Sequence, residues 1–112
     1  MTSLTVNRKT TNTYTITFTR NGVAENITGW TVFFTVKKNT SQTDALALIS
    51  KTITSHTNPT LGITTITLSP TDTDITAGNY LYDIVYVDDV GNRYSTVPDT
   101  FTILDYVTIR SA

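Results

Sequence analysis

The chain contains no cysteine. Neither a disulfide nor a thiolate metal site can hold it, so its 112 residues must close by packing alone. It has a single histidine, His56. With no thiol available, a histidine-based nucleophile pair would have to recruit a serine or threonine, and no nucleophile-elbow glycine pattern is present. One histidine without a thiolate does not make a zinc site, and His56 reads as a solvated loop residue. The five glycines are spread singly, which excludes a phosphate-cradling loop. Charged residues make up only 15%, against roughly 25% in an average soluble domain, and the net charge is −1. That balance leaves no electrostatic footprint for nucleic acid or an anionic membrane. Arg8-Lys9 and Lys37-Lys38 read as solvated strand ends. No apolar run is long enough to span a bilayer, and the N-terminus lacks the apolar segment of a secretion signal. The expectation is a chain with no catalytic, cofactor or metal residues.

What fills the space left by charge is threonine, about a quarter of the residues. Threonine is β-branched, so its stiff χ1 disfavours helix and suits a pleated surface, while its hydroxyl keeps an outer face wet. Alternation with period two recurs throughout. In Tyr14–Thr19, Tyr14, Ile16 and Phe18 share one face and the threonines take the other. Asn21-Gly22 then signals a tight hairpin, with Val23 to Glu25 as the return. Trp30 to Lys37 places Trp30, Val32, Phe34 and Val36 inward, with Phe33 a large ring on the nominally wet side. A polar loop over 38–44 precedes Leu46 to Thr54, whose weak alternation suggests an edge strand. Residues 55–61 are turn-rich, and Ile63 to Leu68 puts Ile66 and Leu68 inside. Asn79 to Asp88 is a long strand, Asp88 to Asn92 its turn, and Arg93 to Val97 its partner. Pro98 marks a break before a last strand, Phe101 to Ile109. With Ser3 to Val6 added, the pattern predicts a single domain over 1–112: an all-β, immunoglobulin-like Greek-key sandwich of about 7–9 short strands.

The most specific local signal runs from Asp72 to Tyr80. A loop rich in Asp and Thr ends in Gly78, and a tyrosine follows two residues later at the start of a long strand. This is the shape of a tyrosine corner, in which the phenol bonds a backbone group upstream and pins the crossover between sheets. Asp72, Gly78 and Tyr80 are its candidate residues, with Asp72 capping the turn. Calcium binding at Asp72/Asp74 or Asp88/Asp89 is disfavoured because neither stretch has a calcium-loop spacing. On the next strand, Tyr80, Tyr82, Ile84 and Tyr86 share one face, yet the other carries Leu81, Val85 and Val87 beside Asp83. With Phe33, these form a candidate interface that a neighbouring subunit would cover.

On these residues the chain resembles the immunoglobulin-like domain of phage virion proteins, notably the N-terminal domain of phage baseplate upper proteins. The likeness lies in the order of Tyr14-Thr-Ile-Thr-Phe18, Ile27-Thr28-Gly29, Val32-Phe-Phe-Thr-Val36, Gly62 to Leu68, Asp72-Thr73, Gly78 to Ile84, Asp89-Val-Gly91 and Phe101-Thr-Ile103. In that family the domain usually precedes a longer protein, whereas this chain ends at Ala112. Three readings stay open: a free-standing virion component, a truncated form, or a distant cousin. The resemblance implies a phage particle protein of the tail, baseplate or capsid, made in the host cytoplasm, that acts through contacts with other virion proteins and forms a homo-oligomer. The alternative is a carbohydrate-binding or adhesin-type module recognising a surface glycan, to which Tyr94 and Tyr106 could contribute and which an exposed Trp30 would favour. Trp30 keeps apolar company and reads as core.

Overall fold

A computed structural model describes residues 3–39, 47–96 and 98–105. The 38–44 loop beyond Asn39, Leu46, Val97, Tyr106 and the expected strand end at Ile109 lie outside them. The described residues form ten strands in chain order. They are β1 (Leu4–Asn7), β2 (Asn12–Thr17), β3 (Thr19–Arg20), β4 (Val23–Ala24) and β5 (Thr31–Lys37), then β6 (Ile49–Ile53), β7 (Ile63–Leu68), β8 (Gly78–Val87), β9 (Arg93–Ser95) and β10 (Asp99–Leu104). One sheet follows the order β1-β10-β8-β5-β6, with β9 also on β8. A second pairs β2 with β7, and β3 pairs with β4. All pairings are antiparallel except β1 on β10. The architecture is all-β and compatible with a β-sandwich.

Ten short strands replace the expected seven to nine because the expected Tyr14–Thr19 strand divides at Phe18 into β2 and β3, while the return after β8 is split at Pro98 as the sequence indicates. β9 takes the register of Val85 to Val87 and β10 that of Gly78 to Tyr82. Between them Thr96 keeps the ladder satisfied. Its N–H donates to the Ile84 carbonyl at 2.9 Å, and its hydroxyl accepts the Ile84 N–H at 3.0 Å. Pro98, which has no N–H to give, follows at the break.

The core lies where the two sheets face each other. Val32, Phe34 and Val36 of β5, Tyr82 and Ile84 of β8, and Phe101 and Ile103 of β10 meet Ile66 and Leu68 of β7. Phe34, Tyr82 and Phe101 form a triangle of rings 5.6 to 6.2 Å apart. Each fully buried side chain of this size contributes about 1.5–3 kcal/mol by leaving water. The dry faces are those that period-two alternation assigns. β6 takes the edge, and Trp30 is inside at 7% exposure.

Two turns fix how the chain enters and leaves this core. Asn21 (φ 52°) and Gly22 (φ 78°) both adopt left-handed backbone, giving the two-residue connection of β3 and β4 its tight reversal. Gly62 (φ 73°) is held differently, because a Cβ there would lie 2.5 Å from the Phe18 carbonyl oxygen and 2.8 Å from that of Glu25. Around it, Phe18 N–H donates to the Gly62 carbonyl at 2.8 Å and Glu25 N–H to the Phe18 carbonyl at 2.9 Å. Three backbone segments converge there with no room for a side chain. Gly62→Ala should therefore lose about 2 kcal/mol or more, since backbone strain and overpacking act together. Gly22→Ala meets open space and should lose only about 1 kcal/mol. Urea titration of both variants checks the ranking, with the midpoint moving and the slope unchanged.

Candidate functional site

The larger sheet is curled, and its outer face encloses a concavity of about 490 Å³. Residues whose side chains alternate away from the core line it: Phe33 and Thr35 of β5, Thr52 of β6, and Leu81, Asp83 and Val85 of β8. Register decides their neighbours. Phe33 lies opposite Val85 on one side and Thr52 on the other, Thr35 opposite Asp83, and Lys37 opposite Leu81. Two apolar groups, Phe33 with Val85 and Leu81 with the Lys37 stem, thus flank a polar pair. Lys37 and Arg93 complete the rim. Val85 is only 8% exposed, so its own sheet already shields it, whereas Phe33 and Leu81 are half-buried. Val87 is half-buried and lies outside the concavity, opposite Thr31 and Arg93. Three of the four candidate interface residues therefore share one hollow.

The Asp72–Tyr80 loop sits at the other face of β8. The Tyr80 hydroxyl donates to the Thr76 carbonyl at 2.5 Å, four residues upstream, while the ring packs against the core. A Cβ at Gly78 would meet the Tyr80 ring at 3.8 Å, an ordinary contact distance. Asp72 closes the front of the same loop. Its carboxylate accepts the Ser69 N–H at 2.8 Å while the Ser69 hydroxyl oxygen accepts the Asp72 N–H at 3.2 Å. The same carboxylate oxygen pairs with Lys51 Nζ at 2.7 Å, tying edge strand β6 of one sheet to the loop after β7 of the other. Thr73, fully buried, completes the loop. Its hydroxyl accepts the Thr10 N–H and donates to the Thr10 carbonyl, both at 2.9 Å.

His56 lies in the loop after β6 but is half-buried, with both ring nitrogens partnered. Its ring joins the Trp30 carbonyl (Nε2, 2.7 Å) to the hydroxyl of fully buried Thr64 (Nδ1, 2.9 Å). A carbonyl can only accept, so Nε2 carries a proton and donates it to the Trp30 carbonyl. The histidine is a structural tie, held because two groups beside the core need a partner. Asp88 is likewise structural. Its carboxylate accepts the N–H groups of Val90 (3.1 Å) and Asn92 (2.8 Å), shaping the turn that Gly91 completes. Among the described residues, no cluster of three or more His, Asp or Glu could hold a metal ion. No protein-family model and no curated protein sequence matches the chain.

Burial alone would raise the Asp72 carboxyl, but the Lys51 ammonium and the Ser69 N–H and hydroxyl outweigh it and hold its pKa below the ordinary value. The unfolded chain then protonates first as pH falls. This stabilisation is whole above about pH 5 and drains away below the unfolded value near 3.9. Asp72→Asn should flatten the acid limb of the stability curve, read as urea midpoints between neutral and acid pH. Separately, His56→Leu should lose about 1–3 kcal/mol by stranding the Thr64 hydroxyl and Trp30 carbonyl. Adding Thr64→Val should recover part of that loss, which the same titration measures.

Proposed function

We propose that the chain is an immunoglobulin-like Greek-key module of a phage virion, an assembly part of tail, baseplate or capsid that works by protein–protein contact. The strand order supports the fold half of this reading. A sheet ordered β1-β10-β8-β5-β6 facing β2-β7 follows the plan in which a G-F-C sheet, extended by a C′ strand, packs on a sheet containing B and E. The parallel β1–β10 pair places the first strand on the last, as one edge of that sheet.

The observation that carries the functional half is the hollow outer face. Phe33 and Leu81 present apolar surface on either side of the Thr35–Asp83 pair, with Lys37 and Arg93 at the rim, and a surface that mixes apolar and polar groups in this way is what a non-obligate interface carries. Magnitudes set how it works. Burying Phe33 and Leu81 is worth roughly 1.5–3 kcal/mol each, whereas association costs an estimated 4–15 kcal/mol in lost freedom. One such contact is weak by itself. Repeated through a symmetric particle it becomes firm, because each further contact forms at high effective concentration.

The reading makes two measurements decisive. In sedimentation velocity the mass should rise with concentration above the 12.4 kDa monomer, and Phe33→Asp should hold it there. Mass spectrometry of purified particles should find the chain in stoichiometric amount with their other proteins. A strictly monomeric chain that is also missing from particles would sink the proposal.

A further inference from the structure

A second hollow, about 140 Å³, opens at one end of the molecule between the β3–β4 hairpin and the inner face of the large sheet. One wall is a run of stacked rings. Trp30 lies on Tyr86 at 5.6 Å with planes 3° apart, and Tyr86 on Tyr94 at 5.4 Å and 25°. Phe18 meets Trp30 and Tyr86 edge-on at 5.8 and 4.8 Å. The topology explains the run. Tyr86 and Tyr94 are directly opposed in the β8–β9 register, and in the sheet path β9 pairs with β8 alone. Tyr94 is accordingly 40% exposed while Trp30, at the inner end, is 7% exposed. The facing wall is polar. Arg20 Nε pairs with Glu25 Oε1 at 2.8 Å, and the Arg20 side chain is 70% exposed.

We infer that this cleft binds a neutral hexopyranose unit of a surface glycan, with its C–H face on Tyr94 and its hydroxyls shared between Arg20 and Glu25. Charge narrows the ligand first. The ion pair sums to zero, Glu25 opposes an anion and Arg20 opposes a cation, so the occupant is uncharged. Hydrogen bonding narrows it further. The rings require an apolar face, while the pair requires acceptors for the guanidinium and donors for the carboxylate at the rim. A pyranose supplies all three. A proline-rich peptide would satisfy the rings and offer carbonyls to Arg20, but proline has no N–H to give Glu25. Size narrows it last, because about 140 Å³ is well under the roughly 300–1,000 Å³ of pockets for drug-sized ligands. One ring enters, and the remainder of the glycan stays outside. The site is independent of the outer concavity.

The test is an NMR titration of the full chain with methyl α-glucopyranoside, methyl β-galactopyranoside, glycerol and an oligoproline peptide, alongside a glycan array. At least one pyranoside should give saturable shifts confined to Tyr94, Tyr86 and the Arg20 side chain, while glycerol, with hydroxyls but no ring face, gives none. Tyr94→Ala, at an exposed position, should weaken binding about tenfold, the scale of losing an aromatic contact. Phe33→Asp on the outer face should leave it unchanged. The inference fails if neither pyranoside nor the array shows saturable binding, if only oligoproline binds, or if Tyr94→Ala binds as tightly as the parent chain.

Discussion

The contact between the inner faces of the two sheets carries the molecule, and it is shut without a covalent bridge. Phe34, Tyr82 and Phe101 from the large sheet meet Ile66 and Leu68 from the small one. A hydrophobic contact is non-directional, so it sets proximity but not registration. Registration comes from a few polar ties around the apolar layer. His56 holds the start of β5 to β7, Thr73 holds the β1–β2 connection to the loop after β7, and Lys51–Asp72 closes the β6 side. The His56 and Thr73 ties use groups that would otherwise lie buried without partners, whereas Lys51 and Asp72 keep part of their surface in water. Losing either of the first two therefore leaves an unmet donor or acceptor as well as a missing bond.

Lys51 also bears on how the molecule can meet others. It sits on an edge strand with its side chain turned toward the inter-sheet layer, between Ile49 and Ile53. An inward charge on an edge strand is a device against edge-to-edge pairing, because extending the sheet there would disturb a partnered ammonium. On the β6 side this favours contact through the face over contact through the edge. The hollow formed by Phe33, Leu81 and Val85 is on that face.

Alternation made most strands legible in the sequence. Val32, Phe34 and Val36 sit inside because side chains two apart share a face, and Asn21-Gly22 turns because both positions accept positive φ. What stayed hidden depended on neighbours distant in the chain. Thr73 is fully buried, yet in a chain rich in threonine nothing local separates it from exposed Thr71 or Thr76, whereas Thr64 shares the inward parity of Ile66 and Leu68. The partners of His56 lie 26 residues before it and 8 after, which no spacing rule announces. The split of the last return into β9 and β10 was signalled by Pro98, but which part of β8 each half would join was not. Val85 reads as exposed from its face alone and is shielded because Phe33 lies directly across from it.

That split return shapes both hollows at once. Where β10 leaves β8 unpaired beyond Tyr82, the short β9 takes over, and period-two geometry turns its successive side chains to opposite faces. Arg93 joins the rim of the outer concavity, while Tyr94 caps the aromatic run on the inner side. Had β10 continued along β8, it would have covered the Tyr86 flank where Tyr94 now stands. A single break near Pro98 thus places a charged rim residue and an exposed aromatic ring side by side in sequence and back to back in space. A partner seated on one face then leaves the other open.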